Sequence, residues 1–278
     1  MLASAMTSID PSNSSTTSTA PMVDIQSSVD QRNIAIDKVG VKKVKYPMHV
    51  RERDNGPQHT VGMFTLTVDL PKEFKGTHMS RFLEVLGEHN HDISPSTIPD
   101  ILAKLREKLN AETAHLEVTF NLFRAKPAPV TGKVGMMGYD CGFIASGGKT
   151  NDFWLNLTVP VTTLCPCSKE ISDFGAHNQR GYVSVKVKIE ETLWLEDVID
   201  MIEAAGSAQL YPVLKRPDEK FVTEQAYKNP RFVEDMVREV ALAFDKESRI
   251  LAYEIEVENH ESIHDHNAYA FIQRNKQA

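Results

Sequence analysis

The stretch from Gly181 to Glu190 reads G-Y-V-S-V-K-V-K-I-E, with an apolar residue at every second position. Side chains on a strand alternate between its two faces, so such a stretch forms a strand with one face buried and the other wet. The same order of elements occurs in both halves of the chain. In the first half, alternation over His59–Leu70 is broken by Pro71 and Gly76. Helical periodicity follows over Ser80–Leu86 and Ile98–Leu109, the second helix with Ser96 or Thr97 to cap it and Pro99 in its first turn. Alternation resumes over His115–Phe123 and Asp152–Val161. In the second half, the strand at Gly181 precedes helical patterns over Leu195–Ala204, Asp218–Lys228 and Pro230–Phe244, and strands over Arg249–Glu258 and His266–Gln273. The repeat is one of architecture, not of letters. It predicts an α+β fold of antiparallel sheets covered on one face by helices. The expected organisation is a tail over 1–40, a first module over 41–165 and a second over 166–278, forming one continuous unit. A single helical layer leaves a sheet face open, which oligomerisation would cover.

Composition narrows the class. The tail, to about residue 35, is rich in Ser and Thr and has no aromatic residue, so it is read as disordered. The chain of 278 residues is 41% hydrophobic and 25% charged. No apolar run approaches the roughly 18 residues of a membrane span. The N-terminus has neither the basic nor the apolar region of a signal peptide. A formal net charge of −7 argues against a general nucleic-acid binder, though not against a nucleotide substrate. Of the three cysteines, Cys165 and Cys167 are too close in sequence to pair without a strained ring. Reduced thiols in the cytoplasm are the simpler reading.

Chemistry concentrates in Pro160–Gly181, P-V-T-T-L-C-P-C-S-K-E-I-S-D-F-G-A-H-N-Q-R-G. Cys165 and His177 offer thiolate and imidazole from one loop, a donor pair that suits zinc, iron(II) or manganese. Lys169 and Arg180 beside them suit an anionic ligand. The alternative is a pair of structural thiols and a surface histidine. Two ligands do not complete a site, so a third must come from elsewhere. Cys167 reads equally as a second ligand, an acid or base, or a packing residue.

A second cluster, E-N-H-E-S-I-H-D-H from Glu258 to His266, holds three histidines and three acids directly after a strand. It suits metal binding or proton transfer, or else forms a solvated hairpin loop. Glu219 lies at a helix start, where an acid commonly serves the helix dipole; the sharper reading is a metal ligand. Glu234 reads either as a solvent-facing helical acid or as a carboxylate accepting from a guanine edge. No phosphate-binding P-loop or dinucleotide fingerprint is present.

Together these segments resemble the prokaryotic type IB GTP cyclohydrolase family. The resemblance runs from about Val44 to the C-terminus. It rests on H-T-V-G-M-F from His59, K-G-T-H-M-S-R-F from Lys75, the Pro160 stretch, Y-P-V-L-K-R-P-D-E-K from Tyr211, N-P-R-F-V-E-D from Asn229 and the Glu258 cluster. It implies a tunnelling fold of two sheet-plus-helix modules, assembled as a homotetramer. It also implies conversion of GTP and water to 7,8-dihydroneopterin triphosphate and formate, towards tetrahydrofolate and also usable for queuosine-type products. By the same resemblance Cys165, His177 and Glu219 hold one divalent ion (manganese, iron(II), magnesium or zinc), and Glu234 anchors the guanine. Cys167, Glu261, His264 and His266 then move protons or position water. The competing readings are a nitrile reductase or tetrahydropterin synthase-like enzyme of the same fold, and a metal-stabilised purine-binding protein without catalysis.

Overall fold

The computed structural model describes residues 24–276 except 27, 54, 55 and 90. Most of the expected tail, residues 1–23, lies outside the described residues. Among the described residues, eight antiparallel strands form one sheet in strict chain order: β1 (Ile36–Glu52), β2 (Gly56–Leu70), β3 (Ala114–Pro127), β4 (Val134–Gly147), β5 (Asp152–Leu164), β6 (Asn178–Ile189), β7 (Ile250–His260) and β8 (Ala268–Asn275). Helices α1 (Met79–Gly87) and α2 (Ile98–Leu109) connect β2 to β3. The short α3 (Pro166–Ile171) lies between β5 and β6. Helices α4 (Leu195–Ala205), α5 (Arg216–Lys228) and α6 (Val233–Lys246) connect β6 to β7. The two halves are therefore not separate sheets. The β5–β6 pairing joins them, so the ladder continues across residues 165 and 166.

Alternation sets the layers. Phe64, Leu66 and Val68 on β2, Leu116 and Val118 on β3, Leu155 and Leu157 on β5, and Val183, Val185 and Val187 on β6 are all buried on one face. Phe82 and Val85 of α1, Ile98 and Ile101 of α2, Ile199 and Ile202 of α4, and Val240 and Phe244 of α6 pack with them into one cluster. The opposite face carries the intervening residues, among them Thr65, Glu117, Asn156, Ser184 and Glu254, and no described helix covers it. Ordered chain begins before the expected boundary. Strand β1 starts at Ile36, and a bridge pairs Val29 with Phe74.

Two strands lay outside the sequence expectation. In β1 the alternation is interrupted by register shifts, with Lys43 at a φ of 59°. In β4, V-G-M-M-G-Y-D-C-G-F-I-A-S-G, glycines interrupt the alternation. Gly142 is a point of close approach, since a Cβ there would lie 2.5 Å from the carbonyl oxygen of Val118. Thr97 occupies the N-cap position of α2 but makes no cap through its side chain. Its Oγ1 donates to the carbonyl of Asp92 and accepts from the Ser94 N–H, bracing the preceding turn.

Phe82 is fully buried between α1 and the sheet. Phe82→Ala should lower the unfolding free energy by about 3–5 kcal/mol, read as a drop in the urea midpoint with an unchanged slope. A loss below about 1 kcal/mol would mean that α1 contributes little to the core.

Candidate functional site

The residues singled out from sequence collect at one end of the sheet. Strand β5 ends there opposite the start of β6 (Leu164 to Asn178). Strand β7 ends there beside the start of β8 (Asn259 to Ala268). Helix α4 ends there, as the bridge between Thr162 and Ala208 shows, and α6 begins there, where the Arg231 N–H donates to the carbonyl of Leu164 at 2.9 Å.

Cys165 caps α3 rather than lying in an extended strand. Pro166 fills the first helical position, where its missing N–H is no loss. The Ser168 N–H donates to Cys165 Sγ at 3.4 Å. Ser168 also closes the loop. Its Oγ donates to the Cys165 carbonyl at 3.2 Å and accepts from the His177 N–H at 3.3 Å. The Cys165 N–H in turn donates to the His177 carbonyl at 3.1 Å. Cys165 and His177 thus stand at the two ends of a loop fastened across its base, both half-buried. Cys167 is exposed on the first turn of α3, so the two thiols do not share a strand face.

His177 Nδ1 lies 3.1 Å from Gln179 Oε1 and 3.2 Å from Ser262 Oγ. The amide oxygen only accepts, so this contact suits the tautomer of a neutral ring with its proton on Nδ1 and the lone pair on Nε2. A ligating histidine is fixed in this way, by a hydrogen bond from its other nitrogen. The Ser262 contact also brings the β7–β8 loop to His177, and with it Glu261, His264 and His266. The two imidazoles stack with centroids 5.2 Å apart and are exposed. Glu261 Oε2 is buried without a hydrogen-bond partner among the described residues, as are Thr163 Oγ1, Asn259 Oδ1 and Arg231 Nε. These orphaned polar atoms lie in the segments that meet at this end of the sheet. A buried polar group left unpaired costs about 1–3 kcal/mol, so each of these atoms calls for a partner such as water or a bound polar group.

Glu219 and Glu234 reach the same end without a contact that closes on the other residues. Glu219 lies in the first turn of α5, on the helical face shared by Val222 and Ala226, and is exposed. Those two residues pack in a small cluster with Leu164 and Ala176, the neighbours of Cys165 and His177. Glu234 is exposed in the first turn of α6, three residues beyond the Arg231–Leu164 bond. Among the described residues, no group of three His, Cys, Asp or Glu side chains closes around one point. Lys169 is engaged elsewhere. Its Nζ donates to the Tyr227 carbonyl at 2.7 Å and lies over the Tyr227 ring, fastening α3 to α5. Arg180 is exposed on β6 between Thr162 and His260.

Sequence reasoning missed Ser168, Gln179 and Ser262. Each lies within three residues of a singled-out position, but nothing in a lone Ser or Gln marks it as a support. The fit to a divalent ion is good in chemistry. A cysteine sulfur and an imidazole nitrogen stand on one loop, and a carboxylate stands on the helix packed beside it.

A sequence model of a protein family described as type I GTP cyclohydrolase folE2 matches residues 22–270. The GTP cyclohydrolase FolE2 of Nitrosococcus oceani is 50% identical over 257 residues, spanning 92% of this chain and 96% of the relative. That of Kosmotoga olearia is 52% identical over 255 residues, spanning 92% and 99%. Among solved structures, uricase from Arthrobacter globiformis superposes with a TM-score of 0.53 at 7% identity, covering 86% of this chain and 93% of its own. Urate oxidase from Bacillus subtilis 168 gives 0.51 at 8% identity, covering 86% and 99%. At such identities the likeness is one of fold, and it agrees with the tunnelling fold implied by the resemblance.

The three thiols should differ in reactivity. Cys167 is exposed, Cys165 half-buried and Cys141 buried, where desolvation pushes its pKa well up. The thiolate is the reactive form. A disulfide dye should therefore label Cys167 first, Cys165 more slowly, and Cys141 only on unfolding. Mass spectrometry showing Cys141 labelled in the folded protein would contradict this placement.

Proposed function

The chain belongs to the type I GTP cyclohydrolase folE2 family, and from that premise we propose that it hydrolyses GTP to formate and 7,8-dihydroneopterin triphosphate, the entry to tetrahydrofolate. The folE2 description takes the place of the type IB label under which the resemblance was placed. The observation that carries the proposal is the fastened Cys165–His177 loop with the β7–β8 loop drawn onto it through Ser262.

Cys165, His177 and Glu219 would hold one divalent ion: manganese, iron(II), magnesium or zinc. Such an ion lowers the pKa of water and so supplies a nucleophile at neutral pH for C8 of guanine. Gln179 fixes the tautomer of His177, and Ser168 fixes the span of the loop. Glu234 accepts from N1–H and the 2-amino group of guanine. Adenine offers no such pair of donors, so both of these bonds to the carboxylate would be lost with it. His264 or His266 protonates N7 and makes C8 more electrophilic. Glu261, with its unpartnered Oε2, and Cys167 move protons during loss of formate, opening of the ribose and reclosure to the dihydropterin. Arg180, on the same end of the sheet, supplies positive charge for the triphosphate. Lys169 joins it by releasing the Tyr227 carbonyl.

The homotetramer is also proposed. Strands β1 and β8 are the two edges of the sheet, where a strand of another copy could add. Exposed Tyr269 and Phe271 on β8 add apolar surface at that edge. The two modules are taken as the 41–165 and 166–278 halves. The site of action is the cytoplasm, and no described helix is long and apolar enough to cross a membrane.

Metal-stripped protein given manganese and GTP should release formate and a fluorescent pterin after oxidation, and EDTA should abolish both. Cys165→Ala should remove turnover without unfolding the protein; turnover retained at saturating manganese would defeat its role as a ligand. Glu234→Ala should weaken GTP binding by about tenfold or more, the equivalent of one charged hydrogen bond. GTP binding at wild-type strength would remove the anchoring role.

A further inference from the structure

We infer that the β3–β4 turn, residues 128–133, positions Glu219, with Asp218 as the positioning residue that links them. The inference rests on the proposed reading of Glu219 as a metal ligand.

Asp218 precedes Glu219 and is fully buried, while Glu219 is exposed. Its carboxylate accepts four hydrogen bonds. Oδ1 takes the N–H groups of Val130 at 2.9 Å and Thr131 at 2.8 Å. Oδ2 takes Thr131 Oγ1 at 2.7 Å and the Lys215 N–H at 2.9 Å. Only the last of these serves α5 itself, as a helix cap; the other three reach across to a turn more than eighty residues earlier in the chain. A helix dipole or a local cap does not require them.

Two further contacts hold the segment leading into α5 against the same hairpin. Gly135 on β4 faces Pro212 and Val213 so closely that a Cβ would lie 2.7 Å from Pro212 Cγ and 2.8 Å from Val213 Cγ2. On β3, Lys126 Nζ lies 4.8 Å from the centroid of the Tyr211 ring. Lys126 is itself fixed, donating at 2.6 Å to Glu203 Oε1, which also accepts from Tyr139 OH at 2.7 Å. The 211–218 segment is thus clamped at Tyr211, at Pro212–Val213 and at Asp218. Glu219 is the first residue past the last clamp, and its backbone is fixed while its side chain remains free to swing onto a ligand. The proposed ligand carboxylate thus takes its position from a hairpin that contributes no ligand of its own.

Three variants test this in the full-length protein: Asp218→Asn, Thr131→Val, which removes one donor with little change of shape, and Glu219→Ala. Manganese affinity is measured by the EPR signal of the free ion, and the ligand set by the visible spectrum of the cobalt(II)-loaded protein. Supporting partners of metal ligands are worth about ten- to a hundredfold in affinity. Asp218→Asn and Thr131→Val, folded by circular dichroism, are expected to bind manganese at least tenfold more weakly, shift the cobalt spectrum towards that of Glu219→Ala, and recover turnover at high manganese. A purely structural role would lower the melting temperature and leave the affinity of the folded protein unchanged, and that result would overturn the inference. If Asp218→Asn does not fold, Thr131→Val decides. Folded Thr131→Val with wild-type affinity, beside a Glu219→Ala that has lost the metal, would refute the positioning role and keep the ligand. A Glu219→Ala protein that binds manganese as well as wild type would remove the ligand reading and the inference together.

Discussion

Alternation along eight antiparallel strands is the constraint from which the other features follow. Because successive side chains point to opposite faces, each strand can give one apolar row to the helices and one polar row to the open side. A slip of one residue in any ladder would exchange the rows and put Val183, Val185 and Val187 into water. The register is therefore fixed by burial, and the fixed register lines up the strand ends. Leu164 lies opposite Asn178, and Asn259 opposite Ala268. Residues far apart in sequence meet at that end because their strands stop together.

Much of this was legible in the letters. The helix over 98–109 is found where its periodicity put it, and the remaining expected helices and strands differ mainly at their ends. What escaped was governed by contacts that have no local signature. Strand β4 looks broken because its glycines satisfy neighbours on other elements, Val118 on β3 and Pro212 before α5. Helix α3 escaped because six residues are too few to show a period. The continuity of the sheet escaped for a similar reason. A repeated pattern says that two halves are alike, but not whether they share a ladder.

The site was legible to a similar depth. Cysteine and histidine are rare and chemically distinctive, so Cys165 and His177 are visible at once, and the Glu258–His266 cluster by its density. Their supports are ordinary residues. Ser168, Gln179 and Ser262 matter only because the fold brings them to within hydrogen-bond distance of His177 or the Cys165 backbone. Lys169 shows the reverse. Its charge marks it as a candidate for an anion, whereas the fold uses it to tie α3 to α5.

The strictly sequential order of the strands bears on how the molecule is built. Every strand of the ladder pairs only with the strands before and after it in the chain, so none has to be inserted between two that are already paired. During synthesis, when domains form from the N-terminal side at about 5–20 residues per second, the sheet can roll up one ladder at a time. The final ladder, β7 with β8, sets the loop that touches His177. The chemistry is then assembled last, onto a scaffold that already stands, and a chain cut short before its final strand would be nearly complete as a sheet while leaving the loop that reaches His177 without the strand that closes it.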